Sequence, residues 1–268
     1  MCLRSLLSRC ALFCVVVTVV VAAQPRGDEA PSIKPADQGV VPGNACGPTA
    51  LLNAFRFGSA DWQRANDAVA GTTDKERILY IIRRYGMRPS KNIPGHPRWS
   101  RRGVSVVDLR DMADEMTTGL YLPHPSSEVL FLKTRETPND LLVRVHQRLK
   151  KSLARGLPPV VSLRRYVLRA KADSAPQWVE VGAHFVTLTS VPARLEKNAR
   201  AFSVDYLDPW GGKRCHGSIG IPTGTVFPDA SGNSSCLEAL FPEASVGTAL
   251  VRKGEKSFIA VAAAIGRW

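Results

Sequence analysis

Gly43-Asn44-Ala45-Cys46-Gly47-Pro48-Thr49-Ala50-Leu51-Leu52-Asn53 reads as a loop that turns sharply into a helix, with one cysteine at the turn. Gly43 and Gly47 free the backbone to turn. Pro48 suits a first helical turn, where its missing N–H costs nothing. Residues 50–57 supply helix formers with an apolar face, and Gly58 is a natural stop. A thiol held at such a turn lies over unpaired backbone N–H groups and the positive end of a helix dipole. That setting favours the thiolate, the nucleophilic form, and the same N–H groups suit an oxyanion.

Downstream of this helix the pattern stays helical. Ser59 or Asp61 caps a segment reaching Ala70, and Thr73-Asp74 opens another with Ile78, Leu79, Ile81, Ile82 and Tyr85 on its apolar face. Residues 105–116 and 139–155 are two more helices, the second starting after Pro138 and ending at Gly156. Pro158-Pro159 then breaks the chain, and the pattern changes to strands: residues 160–168, 184–191, 201–207, 214–221 and 257–265. Helices first and strands afterwards predict an α+β chain, with a helical half at about 43–156 and a β-rich half at about 157–268, and a site in the cleft between them.

Upstream, residues 1–23 carry Arg4 and Arg9 and then an apolar run, Ala11 to Ala23, too short to span a bilayer comfortably. Val21-Ala22-Ala23 offers small residues for cleavage, so the segment is expected to be a secretory signal peptide and the protein to be secreted, periplasmic or in the cell envelope. Residues 24–42, rich in Pro, Gly and charge, are expected to be a loose leader loop into a domain covering 43–268. No later segment is apolar enough to cross a membrane.

Of the six cysteines, Cys46, Cys215 and Cys236 lie beyond the leader. An exported chain can hold disulfides, and Cys215 with Cys236 is the expected pair. Cys46 is then the odd thiol, a candidate reactive group. The formal net charge of +13 favours anionic surroundings: cell-wall polymers, membrane surfaces, acidic peptides or nucleic acid. Residues 83–102 carry seven basic residues and no acidic one, with Tyr85 and Trp99 among them. A solvated loop is the expectation there, since no motif of a nucleic-acid-binding fold accompanies the run. Asn233-Ser234-Ser235 matches the short glycosylation sequon.

A thiolate needs a base, and the base needs orienting. Among five histidines, His146 is expected on an exposed helix face, His96 and His124 in loops, and His216 beside Cys215. His184 follows Gly182-Ala183 and opens the strand Phe185-Val186-Thr187-Leu188, where a rigid element fixes its ring. Asp208 ends the next strand. Its carboxylate is placed to orient His184 and favour imidazolium, with Trp210 to shield the pair from water. A metal site on Cys46, His184 and Asp208 is not expected, because the set lacks the close Cys or His spacing of zinc sites.

Cys-Gly-Pro-Thr at 46–49, Gly-Ala-His at 182–184 and Asp-Pro-Trp at 208–210 resemble the papain-like cysteine peptidases, and within them the branch of bacteriocin double-glycine leader peptidases and their stand-alone secreted relatives. Cys46 and His184 are 138 residues apart, inside the spacing of about 130–150 that papain-type enzymes keep. The resemblance implies a helix-borne nucleophile, Cys46, facing an antiparallel sheet with His184 as general base and acid and Asp208 as its orienter. It implies hydrolysis of a peptide or amide bond through a thioester, with no cofactor. Such enzymes place a glutamine about six residues before the cysteine as an oxyanion donor. Val40 occupies that position here, so Gln38, or failing it Asn44, is the expected donor. The alternatives are a binding module that recognises anionic cell-envelope material and a transglutaminase-like acyl transferase.

Overall fold

The structure is a computed structural model and describes residues 33–170, 176–223 and 235–268. The proposed signal peptide and most of the sequon lie outside the described residues. Five α-helices occur among them: α1 (Cys46–Arg56), α2 (Ala60–Asp67), α3 (Asp74–Ile81), α4 (Val106–Thr118) and α5 (Pro138–Ala154). The strands are β1 (Trp99–Ser100), β2 (Gly103–Val104), β3 (Ser126–Val129), β4 (Val160–Arg169), β5 (Gln177–Ser190), β6 (Ala201–Asp208), β7 (Lys213–Gly220), β8 (Leu237–Leu240) and β9 (Ser257–Gly266).

Strands β9, β4, β5, β6, β7 and β8 pair in that order, all antiparallel, and β8 returns to β9 through Leu237↔Val261 and Glu238↔Ala260. The ring is a closed six-stranded antiparallel barrel. β3 extends the free edge of β9, and β1 with β2 is a separate hairpin.

This corrects the expected fold. An open sheet under a helical half, the papain-like helix-on-sheet arrangement, is not what the chain forms. The sheet closes on itself, and the stretch from 43 to 156 contributes three strands, one of which joins the barrel sheet. The cause is β8, four residues with no visible period beside a loop-rich region. Pairing both β7 and β9, it removes the edges an open sheet would leave. The leader also differs: Pro35, Ala36, Gln38 and Val41 are buried, and Gln38–Val40 is a turn of 3-10 helix, so the described part of this segment is packed against the fold.

Two apolar layers hold the molecule. Inside the barrel, Val161, Leu163, Val186, Val204, Tyr206 and Val261 meet Leu141, Leu142, Val145 and Leu149 of α5. Thr137 caps α5 in a capping box with Asp140. His146 belongs to this buried stripe: it is 4% exposed, and its Nε2 lies 2.8 Å from the carbonyl of Pro192. The expected exposed histidine is therefore a core residue, one helical position from Val145 at the i+4 spacing from Leu142. Outside the barrel, α1 to α4 form a second core that includes Val160 and Phe185. Every residue of α1 except Arg56 is buried, as a helix lying between a sheet and other helices requires.

Candidate active site

The first turn of α1 carries Cys46, and β5 carries His184. Three buried hydrogen bonds position α1. Thr187 Oγ1, on the same strand as His184, donates to the carbonyl of Ala50 at 2.8 Å. On the other side Asn53 Oδ1 accepts from the Ala36 amide at 2.8 Å, and Asn53 Nδ2 donates to the Ala36 carbonyl at 3.4 Å. These bonds tie helix, barrel and the 33–41 segment into one unit around the thiol.

β5 begins at Gln177, so His184 lies well inside a strand instead of opening one, which fixes its backbone more firmly. The β5–β6 pairing, Thr187↔Leu207 and Leu188↔Tyr206, brings the end of β6 alongside the stretch of β5 that carries His184. His184 Nε2 donates to Asp208 Oδ1 at 2.7 Å. Asp208 Oδ1 also accepts from the Trp210 amide at 2.8 Å. His184 and Asp208 are 5% and 1% exposed, so the pair is dry. Trp210 serves it through its backbone N–H, while its side chain stays half-exposed.

A carboxylate offers only acceptors, so the Nε2 of His184 carries a proton and Nδ1 is the ring nitrogen left for another partner. Burial, the largest single influence, works against a charged ring here. The hydrogen bonds to Asp208 and then to Cys46 outweigh it and raise the His184 pKa from 6.5 to about 9. His184 is thus hydrogen-bonded to Asp208 and electrostatically coupled to Cys46, three residues widely separated in sequence.

The two candidate oxyanion amides are placed differently. Asn44 Oδ1 accepts from Cys46 Sγ at 3.1 Å, its Nδ2 is 3.5 Å from the carbonyl of Arg102, and its own carbonyl accepts from Trp99 Nε1 at 3.0 Å. Its amide is therefore engaged. Gln38 is buried, its backbone N–H donates to the Pro209 carbonyl at 2.8 Å beside Asp208, and its Oε1 has no hydrogen-bond partner.

Cys215 and Cys236 are not bridged. The β7–β8 register, Ser218↔Leu240 to Gly220↔Glu238, carries Cys236 past the end of β7 and away from Cys215. Cys215 faces the barrel interior, and Cys236 packs with Tyr166 and Phe258 in a separate cluster. Burial first, then the carboxylates of Glu243 and Asp208, push the Cys215 thiol up to about 11, which makes it a poor nucleophile at neutral pH.

Several contributors escape a reading of the sequence. Asn53 and Thr187 look like ordinary polar residues within regular elements, yet both are fully buried and clamp α1. The β1–β2 hairpin rests on the first turn of α1. A Cβ on Gly47 would lie 2.5 Å from Val104 Cγ1, so only glycine fits there. The basic run is also divided: Arg88 and the buried Arg98 both bind Glu115, at 2.7 and 2.9 Å, whereas Arg101 and Arg102 form the exposed hairpin turn. Among the described residues no helix is long and apolar enough to cross a membrane. Comparison with known protein families, with curated proteins and with solved structures finds nothing that matches this chain.

Proposed function

We propose that this protein is an exported cysteine-dependent amide hydrolase acting on peptides, with Cys46 as nucleophile, His184 as general base and acid, and Asp208 as the group that orients His184. The observation that carries the reading is the buried His184–Asp208 hydrogen bond on an imidazole that also reaches Cys46. The order of the three motifs, which resembles that of cysteine peptidases, supplies the same three groups.

His184 Nδ1 takes the proton of Cys46 Sγ, and the thiolate attacks the carbonyl carbon of the amide. The oxyanion is stabilised by the backbone N–H groups at the start of α1 and by the side-chain amide of Gln38. As the tetrahedral intermediate collapses, the C–N bond breaks and His184 gives its proton to the leaving nitrogen, leaving a thioester on Cys46. Water, deprotonated by His184, attacks that thioester. The C–S bond breaks, the acid departs and the thiol is restored. Asp208 stays ionised throughout and balances the imidazolium.

Alkylation by iodoacetamide at neutral pH tests the reading, followed residue by residue by mass spectrometry. Cys46 is expected to react much faster than Cys215 and Cys236, and His184→Ala is expected to slow it by an order of magnitude or more, as loss of a general base or acid typically does, about 10²-fold. Equal labelling of all three thiols, or a rate at Cys46 indifferent to His184, would falsify the assignment.

A further inference from the structure

We propose that Arg101 and Arg102 form a cationic rim to the site and select acidic peptides, whose carboxylate side chains lie next to the bond cleaved. The inference rests on the hydrolase reading of Cys46 and adds its substrate class.

The rim is built into the nucleophile's own turn. The Asn44 amide donates to the Arg101 carbonyl at 3.0 Å, and Asn44 Nδ2 approaches the Arg102 carbonyl. Trp99, at the base of the hairpin, donates its indole N–H to the Asn44 carbonyl. Asn44 in turn receives the Cys46 thiol. Two residues on the hairpin turn therefore touch Asn44, the residue that accepts from the sulfur. The underside of the hairpin is equally constrained: a Cβ on Gly43 would lie 3.3 Å from Arg101 Cα, and Val104 sits against Gly47. The packing extends to Gly86, the last residue of a π-helical turn over Ile82–Gly86, where a Cβ would meet that of Trp99 at 3.0 Å.

Charge then decides what such a rim does. Arg88 and Arg98 share the single carboxylate of Glu115, which anchors the loop leading to the hairpin and offsets part of their charge. Arg101 and Arg102 are exposed and form no ion pair among the described residues. Asp37 has its Oδ1 engaged by the amides of Gly39 and Gly211. Two exposed arginines whose backbone is tied to the residue beside a buried nucleophile raise the local concentration of anions and offer bidentate partners to a carboxylate.

The test compares two alkylating reagents of nearly equal size, anionic iodoacetate and neutral iodoacetamide, at Cys46 in the full-length protein. At about 0.01 M salt, where the Debye length is about 30 Å, the wild type is expected to favour iodoacetate, and about 1 M salt is expected to erase most of that preference. Arg101→Gln/Arg102→Gln should lower the iodoacetate rate several-fold and leave the iodoacetamide rate unchanged, while Arg101→Lys/Arg102→Lys should keep most of the preference. The same Gln variant should raise KM for a peptide with Glu beside the cleaved bond more than for its Gln counterpart. Polyglutamate should protect Cys46, and inorganic polyphosphate should do so less well. An unchanged reagent ratio, a drop in both rates, or equal protection by polyphosphate overturns the selection of acidic peptides. Failure of iodoacetamide to label wild-type Cys46 overturns the hydrolase reading instead.

Discussion

Thr187 Oγ1 donates to the carbonyl of Ala50 at 2.8 Å, joining the strand of His184 to the helix of Cys46 across 137 residues. Both partners are fully buried. The bond sets the distance between a sulfur on one element and an imidazole on another. Thr187→Val, which keeps the shape and removes the hydroxyl, should lower stability by about 1 kcal/mol. It should also slow iodoacetamide at Cys46, and Thr187→Ser should restore the rate. Urea midpoints and alkylation rates measured side by side separate the two effects.

The elevated His184 pKa has a consequence for stability. Because the folded value lies above the ordinary 6.5, the ring's stabilising contribution is complete below about pH 6.5 and disappears as pH rises through about 9. Stability against urea should therefore decline between those limits. Asp208→Asn removes the carboxylate that accepts from Nε2 and should flatten the decline, with the imidazole titrating at lower pH by NMR. A variant whose imidazole titrates as in the wild type would show that Asp208 does not sustain the charge.

Gln38 and Asn44 can be told apart by what each reaction requires. Alkylation involves no oxyanion, whereas acyl transfer does. Gln38→Ala should leave the iodoacetamide rate nearly intact and reduce peptide turnover about 10²–10³-fold, the typical effect of losing one oxyanion donor. Asn44→Ala should alter alkylation directly, since Asn44 accepts the hydrogen bond of the resting thiol at 3.1 Å. Single-turnover rates on a peptide anilide would measure the first effect.

Gly47 is the point where hairpin and helix meet. Adding a methyl group there forces Val104 Cγ1 away from 2.5 Å, so Gly47→Ala should cost about 1–3 kcal/mol through overpacking. Gly47→Ala/Val104→Ala makes room for the methyl and should recover part of that loss. Thermal melts of the four proteins in this cycle give the coupling between the two positions.

The helices were legible because their signals are local. Thr73 with Glu76, Ser105 with Asp108 and Thr137 with Asp140 each cap a helix within four residues of sequence. The long strands β4, β6 and β9 announced themselves through runs of apolar and β-branched residues. The exposed His146 was a misreading, because its charged neighbours point to other sides of α5. The disulfide was misplaced because nearness in sequence says nothing about strand register.

Local chemistry alone thus nominated Cys46, His184 and Asp208 as candidate nucleophile, base and orienter, and marked most of the stretches that coil or extend. Capping, periodicity and side-chain type all act over a few residues, and they can be read without a fold. Closure of the barrel by the four residues of β8, the clamping of α1 by Asn53 and Thr187, and the seating of the Arg101–Arg102 turn beside Cys46 were decided only in three dimensions. Each depends on groups distant along the chain whose pairing is favourable only once the rest of the core has brought them together.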